Sequence, residues 1–167
     1  MPNNWTTYKL LCVATPDLET KQAAFHAANA RFAERVTMPQ WILFALASPR
    51  SDFDPQIHRR LLEANIRFCD FFVQIFGEMA PDPAYRGFVD LAMECTADEN
   101  FPMRGTAVLF RNPAGASEEM QALRQQLLQN PHCTVYDFLD AEELDRASEA
   151  ILANWYARIA KSDTAGA

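Results

Sequence analysis

An apolar run covers Leu10, Leu11, Cys12, Val13 and Ala14 and stops at Thr15 and Pro16. Near-continuous apolar character over so short a span predicts a strand buried on both faces, at residues 9–14. From Asp17 the period changes. Leu18, Phe25, Ala28, Phe32 and Val36 recur at helical spacing and predict a helix reaching about Arg35. Thr15 is expected to cap that helix and Pro16 to open it. Asp17 and Glu19 place negative charge where the helix dipole favours it.

The alternation repeats four more times. Strands are expected at residues 41–46, 71–76, 106–110 and 133–138. A second helix starts at Asp54 and Pro55 and ends before Asp70. It shows two apolar stripes, one of Ile57, Leu61, Ala64 and Phe68 and one of Leu62, Ile66 and Cys69, which predict a helix wedged between neighbours. A third helix is expected at 85–97 and a fourth from Ser117 to the break at Asn130 and Pro131. A fifth, carrying Leu144, Ala147, Ile151 and Trp155, runs to about Ala160. Residues 1–7 and 161–167 read as frayed ends.

Five strand-then-helix units build a parallel sheet covered by helices on both faces. The expected fold is α/β: a three-layer sandwich with a flavodoxin-like, five-stranded parallel sheet in the order 2-1-3-4-5. A chain of 167 residues makes this one domain, 1–167, with an ordered core at about 8–160.

In that order the sheet reverses direction beside strand one, and ligands bind outside the carboxyl ends of strands one and three. The candidate ligand-binding residues are therefore Thr15 and Asp17 after strand one, Gly77 and Glu78 after strand three, and Tyr85 and Arg86 at the start of helix three. Ser48 and Arg50, after strand two, join them. Asp90 and Glu94 on helix three are the candidate catalytic carboxylates. Such groups hold sugar hydroxyls or serve as nucleophile or general acid in glycosidic chemistry. Plainer readings stand beside these. Asp17 serves as a helix-start residue, and Arg86, Asp90 and Glu94, four apart, form an ordinary solvated face.

Several classes drop out. No Gly-x-Gly-x-x-Gly follows strand one, no Gly-x-x-x-x-Gly-Lys occurs, and an acidic first turn repels phosphate. A receiver domain needs an aspartate ending strand three, where this chain has Phe76 and Gly77. His26, His58 and His132 fall on different elements, with His26 and His58 at positions that read as exposed, so no metal and no cofactor is expected. The net charge of −7 argues against nucleic acid and anionic lipid as partners. No apolar stretch reaches the ~20 residues of a membrane span, and no signal peptide is evident. Cys12, Cys69, Cys95 and Cys133 stand singly and read as free, reduced thiols of a cytoplasmic protein.

Two passages resemble a known group. Residues 10–25, with an apolar strand, a threonine turn and then Asp17 and Leu18, look like the opening of the bacterial DUF4062 domains. Residues 65–77, where Cys69 and Asp70 precede an apolar strand ending in Gly77, are similar to their passage into strand three. That group shares the flavodoxin-like arrangement with TIR domains and nucleoside 2-deoxyribosyltransferases. The resemblance implies a TIR-like signalling role through self-association or contacts with other proteins. Its alternative is N-glycosidic hydrolysis or transfer on a nucleoside or NAD-like ligand by a glutamate on the third helix. Residues 87–92 come nearest the transferase pattern, with Asp90 where glutamate is expected and Glu94 one turn further on. The catalytic pattern is thus incomplete, and whether the chain is an enzyme stays open. For the signalling role, Trp155 and Tyr156 are the expected self-association patch.

Overall fold

The computed structural model describes residues 6–36, 42–46 and 54–165. It is an α/β fold with a parallel sheet between two helical layers. The strands are β1 (Thr6–Ala14), β2 (Ile42–Leu46), β3 (Phe71–Phe76), β4 (Gly105–Arg111) and β5 (Thr134–Phe138). β1, β3, β4 and β5 form a continuous parallel ladder. β2 pairs along the other side of β1, with Thr6 opposite Ile42 and Leu10 opposite Leu46, so the strands lie in the order β2-β1-β3-β4-β5. The helices are α1 (Glu19–Arg35), α2 (Pro55–Phe68), α3 (Pro83–Ala97), α4 (Glu118–Leu128) and α5 (Ala141–Ala165). Among the described residues, no helix is long and apolar enough to cross a membrane.

Alternation along the central strands creates two cores. Leu10 and Cys12 of β1 and Phe71, Val73 and Ile75 of β3 face α1 and α5, where they meet Phe25, Ile151, Leu152 and Trp155. Leu11 and Val13, with Phe72 and Phe76, face α2, α3 and α4 and meet Ile66, Phe88 and Leu123. Every residue of β3 is buried, as an unbroken apolar strand requires. Asp70 pins the entry of β3 to β1: its carboxylate accepts from the backbone amide of Lys9 at 2.7 Å, and its own amide donates to the Lys9 carbonyl at 2.8 Å.

Several boundaries differ from the sequence reading. β1 begins at Thr6 because its first residues are held by the ladder to β2 rather than by burial alone. α3 begins at Pro83, where Asp82 accepts from the amide of Ala84 and proline takes the first helical position. α5 continues to Ala165, past the expected end. Thr15 occupies the cap position of a short 3-10 turn, Pro16–Leu18, but its side chain makes no cap hydrogen bond; its carbonyl accepts from Leu18 instead.

α2 corrects a larger expectation. Only its Leu62–Ile66–Cys69 stripe is buried. Ile57, Leu61 and Phe68 are 50 %, 36 % and 70 % exposed. The helix packs on α3 and β1, and the first stripe looks outward. The expected patch at Trp155 and Tyr156 is also overturned. Trp155 is 2 % exposed and stacks on Phe71 with ring centroids 4.5 Å apart, and Tyr156 is half-buried against Phe32. An α5 helix that must cover β3 and β4 turns its aromatic face inward.

Candidate functional site

The crevice between the carboxyl ends of β1 and β3 is occupied by the chain itself. After β1 the 3-10 turn folds Asp17 and Leu18 over the end of β3. A Cβ at Gly77 would come within 2.9 Å of the Asp17 carboxylate, so a side chain there would push that carboxylate aside. Glu78 is drawn the other way. Its carboxylate accepts from Asn112 at 3.2 Å and its carbonyl from the amide of Ser117 at 2.8 Å. Asn112 makes that reach from a left-handed backbone conformation, φ 46°. Thr15 is buried, with no hydrogen-bond partner for its hydroxyl.

The open cleft lies beside the carboxyl end of β1. It has a volume of about 530 Å³ and sits between the amino-terminal parts of α1, α2 and α3. Residues 12–14 and Pro16 form its floor. Glu19, Gln22 and His26 approach from α1, His58 and Leu62 from α2, and Tyr85 from α3. The spacing of Glu19, Gln22 and His26 puts all three on one helical face beside the end of β1. His58 and Leu62 lie one turn apart for the same reason. The Gln22 amide nitrogen donates to the Cys12 carbonyl at 2.8 Å, which ties the α1 wall to the floor.

Burial at this wall holds the His26 imidazole below its ordinary pKa, so the ring is neutral at pH 7. Burial pushes the Tyr85 hydroxyl up, and the carboxylates of Asp82, Asp17 and Glu19 add to that. Tyr85 therefore marks the point where three negative charges converge. A smaller hollow of about 280 Å³ adjoins the cleft and shares His58, Leu62 and Tyr85 with it. A third, about 660 Å³, runs along the flank of α4, and its described lining comes from that helix and its preceding turn.

Of the expected site residues, Tyr85 lines the cleft and Asp17 stands near it through Tyr85. Gly77 and Glu78 lie under and beyond the 3-10 turn. Arg86 reaches away to Gln126 on α4 at 2.7 Å. Asp90 and Glu94 are exposed on α3, while the carboxylate lining the cleft is Glu19. Ser48 and Arg50 lie outside the described residues. The sequence reading missed Glu19, Gln22, His26 and His58 as site residues. The two histidines, read as exposed, are in fact half-buried. Among the described residues, no group of three or more His, Cys, Asp or Glu could hold a metal ion.

Gly87 has no structural reason to be glycine: a Cβ there meets nothing within 4 Å. Gly87→Ala is expected to stabilise the protein by about 0.5–1 kcal/mol through the better helix former and the stiffer unfolded chain. Urea unfolding followed by circular dichroism checks this; a loss of stability would mean that α3 packs differently.

No family model matches the chain, no curated protein matches it, and no solved structure matches it.

Proposed function

We propose that this protein is a flavodoxin-like, five-stranded domain of the TIR-like or DUF4062-like kind that binds a small polar ligand in the β1 cleft and signals its presence without turning it over. The observation that carries this reading is the cleft itself. It is concave, has an apolar floor, and gathers a few polar groups from three separate helices, which is the form of a small-molecule site. It lies at the carboxyl end of a central strand, where sheets of this type hold ligands. Asp90 and Glu94 face elsewhere, so the carboxylate pair that would support glycosidic chemistry does not converge there.

Thermal shift of the full chain against a library of polar metabolites tests the reading. At about 100 times its Kd a ligand adds about 2.7 kcal/mol. For a chain of this size that is a rise in Tm of roughly 5–10 °C. Ala23 is exposed and lines the cleft, so Ala23→Trp plugs the cleft without disturbing either core. The shift is expected in the native protein and absent in Ala23→Trp. Ligands that shift both proteins equally bind elsewhere and sink the proposal.

One observation favours N-glycosidic hydrolysis or transfer as a second reading. Glu19 lines the cleft together with Tyr85, and its charge bears on the Tyr85 hydroxyl. Free base released from nucleosides or NAD by the native chain, and lost in Glu19→Gln, would replace the sensing role with catalysis.

A further inference from the structure

The described lining of the β1 cleft is one-sided in its chemistry. It holds a carboxylate, Glu19, an amide, Gln22, and three aromatic rings, His26, His58 and Tyr85; among the described residues no lysine or arginine lines it. The Gln22 nitrogen spends one of its two hydrogens on the Cys12 carbonyl, and the amide oxygen Oε1 is left as an acceptor for a guest. Glu19 and the Gln22 oxygen thus both offer acceptors to a guest that donates hydrogen bonds.

Among the described residues the charges nearest Tyr85 have the same sign. Asp17, Glu19 and Asp82 all bear on Tyr85 at the mouth. In the adjoining hollow Asp82 stands with Arg59, and that guanidinium is ion-paired to Glu63 at 3.2 Å. Aromatic faces attract cations through their negative π density, and a neutral imidazole does not oppose a positive guest. The apolar floor and Leu62 suit a short hydrocarbon stem.

We infer that the cleft takes a small organic cation, a primary amine or guanidinium on a short carbon chain, whose N–H groups meet the Glu19 carboxylate and the Gln22 Oε1 while its stem lies on Val13 and Leu62. This rests on the reading of the cleft as the ligand site and names the chemical class that it selects. Charge sets the selectivity: carboxylate and phosphate compounds of equal size are repelled, and a neutral alcohol brings a single donor and no charge. His58 lines both hollows and adds a ring to the wall they share.

Isothermal titration calorimetry of the full chain with agmatine, butylamine, n-butanol and butyrate tests this, beside the Glu19→Gln and Ala23→Trp variants. Agmatine and butylamine are expected to bind saturably, at least about tenfold tighter than butanol or butyrate, as a charge-assisted contact implies. Glu19→Gln is expected to weaken both by about tenfold, and Ala23→Trp to abolish their binding. Butanol or butyrate binding as tightly as butylamine overturns the inference, as does an agmatine affinity unchanged by Glu19→Gln. If no amine binds while metabolites still shift the native Tm and not that of Ala23→Trp, the inference fails and the cleft reading survives. If nothing binds in a manner sensitive to Ala23→Trp, both fail.

Discussion

Trp155→Ala is expected to cost about 3–5 kcal/mol, the range for removing a fully buried large aromatic side chain. Trp155 is 2 % exposed and lies flat on Phe71, which is itself in tilted contact with Phe44 and Tyr8. The indole thus closes a stack that runs from α5 across β3 toward β1 and β2. Deleting it leaves a cavity that rigid strands cannot collapse to fill. Urea unfolding should show a midpoint lowered with little change in slope. Trp155→Phe keeps a ring on Phe71 and should lose much less.

Gly105 supplies a sharper check. A Cβ there would meet the Trp155 Nε1 at 2.5 Å and two further indole atoms at 3.2 Å. Gly105→Ala in the native protein is therefore overpacked and should cost about 1–3 kcal/mol. In the Trp155→Ala background the same methyl enters empty space, so the double variant should be more stable than the sum of the single costs implies. Additive costs would mean that the indole does not lie over Gly105. A Trp155→Ala cost under about 1 kcal/mol, with a loss of self-association on sedimentation, would restore the exposed-patch reading.

The β1 run was legible because a strand covered on both faces has only one way to look in sequence, and the same holds for β3. The α3 start was not. The acid–proline pair Asp82 and Pro83 is the same signal as Asp54 and Pro55, and both aspartates cap by accepting an amide two residues on. Pro81 just before it made the stretch read as loop. Helix phase limited the site. Asp90 and Glu94 share one face, and nothing local says whether that face meets the cleft or water. Packing decides it: Phe88, Val89, Ala92 and Cys95 take the buried side of α3 and leave the acids outside. Glu19, Gln22 and His26 did carry a readable signal, a polar face at i, i+3 and i+7 directly after the central strand. A helix-start charge explains Glu19 equally well, which hides that signal. The two stripes of α2 misled for a topological reason. Among the described residues α2 has one flanking helix, α3, so an apolar pattern broad enough for two neighbours meets one.

Stability is expected to fall steeply above about pH 9, through the thiols. Cys12, Cys69 and Cys133 are free and packed among apolar side chains. Burial pushes the Cys69 and Cys133 thiols up to about 12 and the Cys12 thiol further still. In the unfolded chain a thiol ionises near its ordinary value of about 8.5. Between about pH 9 and 12 the folded state thus keeps three protons that the unfolded state has released. The unfolded form binds fewer protons, so stability declines with rising pH, by about 1.4 kcal/mol per pH unit for each thiol and about 4 for the three. Against a typical total of 5–15 kcal/mol, that can unfold the protein within a few pH units. Tyr85 and Tyr156, also raised by burial, add the same sign at still higher pH. On the acid side the sign reverses. His26 is held below its ordinary value, so the unfolded chain takes up its proton first and stability falls as pH drops below about 6.5. The maximum should lie between about pH 7 and 8.5. Urea midpoints from pH 6 to 10.5 measure the curve, and Cys133→Ala should flatten its alkaline limb, since it removes one of the raised thiols. A flat limb to pH 10.5, with the native thiols alkylated as fast as those of the unfolded chain, would show that these side chains are not enclosed by the two cores.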